Sequence, residues 1–389
     1  MSSWGKARWR KLWLDVHLWL GVGLAILIIP LSVTGAALVW HDGLDSLLNP
    51  ERFRTSGAEV MQPPSAYMTA AEGALAEGAR ATQIAMPEAD GAPVTVRAMQ
   101  PNPSSPRPSF FTVYLDPPTA SVLDVADFGS SLVGVMHRLH GSFMVPGFGR
   151  QLVGWVGVAM FISCLTGIWL WWPRNNKVLK ALKWRRVPTV TGNLHYTMGF
   201  WVVLPLAMLS FTGAYISFPQ TASSVYSLFA GAPPQSGGRQ GPPRRRFQMP
   251  AETTAMSLDE AVDTAKAALP GAALSGASMA AGNPPVWQID LVENGESRRV
   301  SVADGSGIVT LPQASEGGRN AAARPVDGAR SLSMTMRRWH DGQGMGLLWQ
   351  IVIFAGGVVP AVLAVTGVIM WWRRRRARKA MERRLAAAG

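Results

Sequence analysis

Four stretches of the chain, His17 to Trp40, Leu152 to Trp172, Tyr196 to Phe218 and Leu347 to Trp372, contain no Asp, Glu, Lys or Arg. Each is about 20 residues or longer, enough for a helix to cross a hydrocarbon layer of about 30 Å. The pattern therefore predicts transmembrane helices over 17–41, 151–173, 195–218 and 347–372. Basic residues precede the first run, as in a secretory signal. The run is longer than a signal's apolar core and lacks a clear small-residue cleavage site, so it reads as a retained helix. Between the spans the pattern changes to alternation. Ser65 to Arg80 reads as a helix, followed by the strands APVTVRAM and SFFTVYLDPPTASVLD. SLDEAVDTAKAAL reads as a second helix, followed by PVWQIDLVE and RRVSVADGSGIVTL. Turns fall at Asp116-Pro117 and Asp304-Gly305. The Pro/Gly/Arg-rich stretch Gly231 to Pro250 reads as a loop.

The apolar runs repeat. LSVTGAAL in the first matches LSFTGAYI in the third, and LTGIWLWWP in the second matches VTGVIMWWR in the fourth. His17 lies 17 residues before Thr34 and His195 lies 17 before Thr212. His140 lies 26 before Thr166 and His340 lies 26 before Thr366. A single Thr-Gly in an apolar helix signals no more than close helix packing. Four copies in fixed register with a histidine point to duplication of a two-helix unit. Two spans per copy is an even number, so both copies enter the membrane the same way and equivalent residues share one depth. His17 is then expected opposite His195 near one face, and His140 opposite His340 near the other.

Composition supports a membrane protein: 48% of residues are hydrophobic and 16% charged, with a mean hydropathy of +0.12. The basic residues set orientation. They gather in 1–16, in the linker 174–194 (Arg174, Lys177, Lys180, Lys183, Arg185, Arg186) and in the tail 373–389, which the positive-inside rule places in the cytoplasm. The segments 42–150 and 219–346 then face outward as two small α+β modules. Much of the net charge of +13 is thereby topology, and no nucleic-acid partner is implied. The single Cys164 excludes an intrachain disulfide and a covalent CxxCH heme.

All six histidines, His17, His41, His137, His140, His195 and His340, lie at or just beyond a span end. A lone interfacial histidine is usually a headgroup contact, but repeat-locked pairs at membrane depth mark a functional site. Two facing imidazoles suit the axial positions of a heme, whereas zinc usually wants four ligands. One pair at each face would hold two b-type hemes in a transmembrane electron path. A proton or metal relay is the alternative, and the lack of intramembrane Asp or Glu argues against a proton relay. His41 and His137 have no counterparts: His137 aligns with Arg337, and His41 with Gln220 or thereabouts. Either could ligate in place of His140, bind a heme propionate or touch substrate. Arg138, Arg337 and Arg338 are further propionate candidates.

At these residues, and over most of its length, the chain resembles the PepSY-associated transmembrane family of bacterial inner-membrane proteins. The likeness is carried by DVHLWLGVGLAILIIPLSVTGAAL, LHGSFMVPGFGRQLVGWVGVAMFISCLTGIWLWWP, NLHYTMGFWVVLPLAMLSFTGAYI and WHDGQGMGLLWQIVIFAGGVVPAVLAVTGVIMWWR, with two outward PepSY-like modules. Iron-uptake members are heme b reductases of ferric siderophores, and the resemblance implies that activity here, with His17, His140, His195 and His340 as ligands. The fourth motif reads WHDGQG where the second has LHGSF, so an asymmetric outer site is expected. No dinucleotide fingerprint or cytoplasmic domain is apparent, so the donor is expected to be membrane quinol or a partner reductase. Ferric siderophore, membrane lipid and accessory iron-uptake membrane proteins are the other expected partners. Arg244, Arg245 and Arg246 could draw in an anionic ferric complex, or serve only in a loop touching headgroups. Two other readings are a non-redox PepSY protein that binds or inhibits a peptidase, and a transporter. The latter would want a broken helix with charged lining. None is apparent, although Pro30, Pro205 and Pro360 could kink their spans.

Overall fold

A computed structural model of the 389-residue chain describes residues 3–102, 108–173, 187–229, 249–293, 295–311 and 325–388. The basic linker residues from Arg174 to Arg186, the Arg244 to Arg246 cluster and most of the loop from Gly231 lie outside the described residues. The chain divides into two units. One comprises 1–41, 135–237 and 322–389, and the other 42–134 and 238–321. The described stretches 135–150, 219–229 and 325–346 thus group with the long helices, although they adjoin the alternating segments in sequence.

The second unit is a single sheet. Helix α4 (Pro64–Ala74) precedes strands β1 (Arg80–Ala85), β2 (Val94–Gln100), β3 (Ser109–Leu115) and β4 (Val122–Asp127). Helix α9 (Leu258–Ala268) precedes β5 (Ala273–Ala281), β6 (Val286–Glu293), β7 (Glu296–Ala303) and β8 (Val309–Thr310). The order is β4-β3-β2-β1-β5-β6-β7-β8, antiparallel throughout. β1 joins β5 through Gln83↔Ser278, Ile84↔Ala277 and Ala85↔Gly276. The two expected helix-and-strand modules thus share one continuous sheet. Each group of four strands leaves the backbone donors and acceptors of its first strand unpaired, and the two edges satisfy one another. Alternate residues Val94, Val96, Val113, Leu115, Trp287, Ile289, Leu291, Val300 and Val302 form one buried face. Tyr67, Met68, Ala71, Ala261, Val262 and Ala265 of the two helices share that core. Burying each large side chain contributes about 1.5–3 kcal/mol.

Local sequence sets the helix ends. Ser257 and Glu260 form a reciprocal capping box at the start of α9, satisfying two otherwise orphan N–H groups. The other helix ends at Ala74 rather than Arg80, because Leu75 is extended and Gly78 has φ +82, a conformation that favours glycine. The two helix starts meet at one contact: Asp259 accepts from the Ser65 backbone N–H at 3.0 Å and from its hydroxyl. Arg52 is buried between Asp45 and Asp124, at 2.6 Å from each, and lies over the Tyr114 ring. Burial first, and then the Asp45 charge, pushes the Tyr114 phenol up to about 12.

Asp116 and Asp304, at the two sheet turns, hold the chain that leads into each helix. Asp116 accepts from the Ser56 N–H and hydroxyl, both at 2.6 Å. Asp304 accepts from the Ala255 and Met256 N–H groups at 2.7 and 3.1 Å and from the Trp287 indole at 3.1 Å. Burial pushes both carboxyls up, but these hydrogen bonds outweigh it and hold them below the ordinary range. A depressed folded pKa gives stability that is present above the unfolded value of about 3.9 and is lost as pH falls through the folded value. Amide exchange of the full chain, corrected for intrinsic rates, should show β3 and β6–β8 losing protection below about pH 4. Asp304→Asn should weaken β6–β8 at neutral pH and flatten that dependence. Identical profiles for the variant and wild type would remove Asp304 from the account.

The other unit is built from long helices. α6 (Gly149–Trp171), α7 (Val190–Ser217) and α11 (Leu347–Ala388) are each long and apolar enough to cross a membrane. α1 (Ser3–Gly23) and α2 (Ala25–Leu38) pass the same test together but bend by 66°. The bend lies at Leu24, outside the helical region at φ −99 and ψ 1, beside Gly21 and Gly23, which favour helix poorly. The first apolar run is therefore broken, contrary to expectation, and the break lies six residues before Pro30. α2, α7 and α11 continue through Pro30, Pro205 and Pro360. α11 also carries the basic tail onward as helix.

α6 runs along α7, α11 lies against α2 and α7, and α1 against α6. Small residues permit the approach: a Cβ at Gly357 would come within 2.9–3.0 Å of Ala36, and one at Gly157 within 3.2 Å of the Ser210 carbonyl. Polarity is inverted relative to a water-soluble fold. Ser32, Thr34, Thr166, Asn193, Thr212 and Thr366 are buried, while Trp19, Ile26, Leu204 and Leu348 are exposed. Such a surface is stable in lipid, where exposed apolar side chains cost nothing and polar groups need internal partners.

Candidate functional site

The helical unit brings the histidines together two by two. The rings of His17 (α1) and His195 (α7) have centroids 6.3 Å apart and planes at 85°. His140, at the end of α5 (Leu132–Ser142), and His340, at the end of α10 (Pro325–Asp341), have centroids 6.1 Å apart and planes at 44°. His41, which opens α3 (His41–Leu48), lies 6.1 Å from His137 of α5.

The Thr-Gly motifs hold the first two pairs, each acting on a histidine from a different helix. His17 Nδ1 meets the Thr166 hydroxyl at 3.0 Å and the Ser163 carbonyl at 3.2 Å. His195 Nδ1 meets Thr366 at 3.0 Å, and His340 Nδ1 meets Thr212 at 2.9 Å. His140 Nδ1 meets the Leu31 carbonyl, three residues before Thr34, at 2.9 Å. The adjacent glycines make room. A Cβ would approach the histidine Cε1 to 2.5 Å at Gly35, 3.1 Å at Gly167 and Gly213, and 3.5 Å at Gly367. The motif in one span thus receives the histidine associated with the other.

These contacts fix the protons. Carbonyl oxygens only accept, so His17 and His140 donate through Nδ1. Thr366 and Thr212 give their hydroxyl protons to the Val362 and Met208 carbonyls at 2.7 and 2.9 Å, so they accept from His195 and His340. All four imidazoles are left with a bare Nε2, the arrangement of a metal-binding histidine whose second nitrogen is anchored.

A cleft of about 1860 Å³ opens around the first pair. Trp9, Trp13, Trp171 and Phe200 give it aromatic walls, and Trp171 stacks on Phe200 at 4.2 Å. Arg10, Lys11, Arg374, Arg375, Arg378 and Lys379 also line it, with Asp15 and Glu382 as the acidic members.

The residues present fit a b-type heme. Two metal–imidazole bonds of about 2 Å end to end place ring centroids about 6 Å apart, the separation of each pair. The apolar walls suit a macrocycle, and the cations suit carboxylates at its edge. Among the described residues no group of three or more His, Cys, Asp or Glu is placed to hold a metal ion.

Arg337 and Arg338 are exposed, and Arg338 donates to the Gly344 carbonyl at 3.0 Å. Arg337 stands three residues before His340, as His137 does before His140. The position matching His41 by spacing from the Thr-Gly motif is Pro219, the first residue of α8 (Pro219–Phe229), one before the expected Gln220. Sequence reasoning missed the glycine cradles and their exchange between helices. The constant spacings of 17 and 26 marked these residues, but spacing along the chain does not say which helix faces which.

Several long apolar helices compatible with multiple membrane passes, joined to a helix-and-sheet unit, define a class of membrane protein. The chain belongs to the PepSY-associated TM region family, whose model matches residues 14–374. It is also similar to an uncharacterised protein of Pseudomonas aeruginosa, PA4219, at 25% identity over 263 residues. That match covers 61% of this chain and 62% of the relative's length.

Proposed function

We propose that this protein is a diheme reductase of the bacterial inner membrane, passing electrons outward to ferric siderophore. The observation that carries this reading is the set of four histidines, each anchored at Nδ1 and facing its partner at about 6 Å with Nε2 bare. His17 and His195 would hold one b-type heme, and His140 and His340 the other. Heme so held supplies one-electron transfer at a potential tuned by its surroundings.

In this reading the bent first run counts as one span, giving four spans as two tandem two-helix repeats with the termini and basic residues in the cytoplasm. From His195 to Gly213, which cradles His340, α7 rises about 27 Å at about 1.5 Å per residue. That is close to the hydrocarbon thickness, so the two pairs would stand near opposite faces. The Thr166, Thr366 and Thr212 hydroxyls and the Leu31 carbonyl anchor the four rings, and the aromatic walls would pack against a macrocycle in the cleft. Arg10, Lys11, Arg374 and Arg375, which line the cleft, would offset propionate charge. The electron donor is quinol or a partner reductase. Fe(III) gains one electron outside the membrane and leaves the siderophore as Fe(II).

The test is the visible spectrum of the detergent-purified protein, oxidised and dithionite-reduced, with pyridine hemochrome quantification. About two b-type hemes per chain are expected. Protein from heme-replete cells that contains none would overturn the reading and favour a non-redox role, such as binding or inhibiting a peptidase.

A further inference from the structure

The third histidine pair is not needed by the fold. Where the first half of the chain has His41 and His137, the second has Pro219 and Arg337 at the matching spacings, and its helices form all the same. Nor would the proposed hemes call on the pair, since the four cradled histidines would supply two ligands to each. Yet His41 and His137 come from different helices and bring their rings to 6.1 Å, the same separation as in the other pairs. His137 is exposed and His41 half-buried, so the pair opens to the surroundings. No Thr-Gly motif stands in register with either: His41 opens α3 and His137 lies within α5.

We propose that His41 and His137 form a surface site for a divalent transition-metal ion, with water filling the remaining positions. Neutral imidazole suits borderline ions such as Fe(II), Ni(II) and Zn(II), whereas Fe(III) prefers the hard oxygen donors of a siderophore. The pair is therefore selective for iron after its reduction. With two protein ligands the ion exchanges readily, as a transit site for a released product requires. The identity of the ion as ferrous product rests on the function proposed above; the site itself does not.

The test uses the full heme-loaded chain without a histidine tag, dialysed anaerobically against micromolar Fe2+ and separately against Ni2+. Metal per chain is measured beyond heme iron. The comparison variant carries His41→Gln and His137→Arg, the second copying the residue at the matching place in the other half. The wild type should retain about one more ion than the variant, with heme content and reduced spectra equal in the two. Because the readout is a difference between chains, it holds even if the protein proves to carry no heme. No extra ion on the wild type, or equal retention by the variant, would overturn the proposal. Loss of heme from the variant would also overturn it, by assigning the pair to the heme site instead.

Discussion

Replacing His195 with alanine is expected to remove one heme from each chain and leave the other in place. His17 alone would then face a hole where the second ligand stood, and a b-type heme without a covalent tether depends on its axial bonds and pocket contacts. Pyridine hemochrome content should fall from about two to about one per chain, and the remaining reduced spectrum should be that of the His140–His340 site. His340→Ala should remove the complementary component, so that the two difference spectra sum to the wild type. Exogenous imidazole should refill the His195→Ala hole and restore part of the missing absorbance, which a merely unfolded variant would not allow. Full heme content in both variants would discard the ligand assignment.

The second large effect is expected at a residue without a functional group. Gly35→Ala places a Cβ at 2.5 Å from Cε1 of His140, inside any tolerable contact, and the ring cannot swing away without leaving the Leu31 carbonyl. Gly367→Ala places its Cβ at 3.5 Å from His195, an ordinary van der Waals distance. The same substitution should therefore deplete the His140–His340 heme and spare the His17–His195 one. Alanine favours helix over glycine by about 1 kcal/mol, so the Gly367 variant should be at least as stable as wild type. Loss of the outer-shell hydrogen bond that orients a metal-ligating histidine typically costs about 10- to 100-fold in affinity, which quantitative heme titration into apoprotein would resolve. If Gly35→Ala binds both hemes normally, the cradle is not a constraint on His140.

The sequence carried the apolar runs and the alternation of Val94, Val96, Ile289 and Leu291, because burial in lipid and burial on one face of a sheet each leave a period in side-chain type. It carried the register between histidines and Thr-Gly motifs as numbers. The union of β1 with β5 was not legible, because that contact is made by backbone groups that every residue possesses. The bend at Leu24 was hidden for a related reason: Pro30 advertises a kink, but α2 accommodates it, while Gly21 and Gly23 weaken the helix without any marked change in hydropathy. Nor could the exchange of anchors be read, with Thr166 holding His17 and Thr212 holding His340. It depends on which helices are neighbours.

The pairing of β1 with β5 also sets a delay in how the chain is made. Ile84 and its partner Ala277 are separated by about 190 residues, and synthesis proceeds at about 5–20 residues per second. For about 10 to 40 seconds the first four strands exist with β1 as an open edge, while two further apolar runs are threaded behind them. An open edge over that interval invites pairing with another nascent chain. The edge that β5 covers in the finished sheet is thus uncovered while the chain is being made.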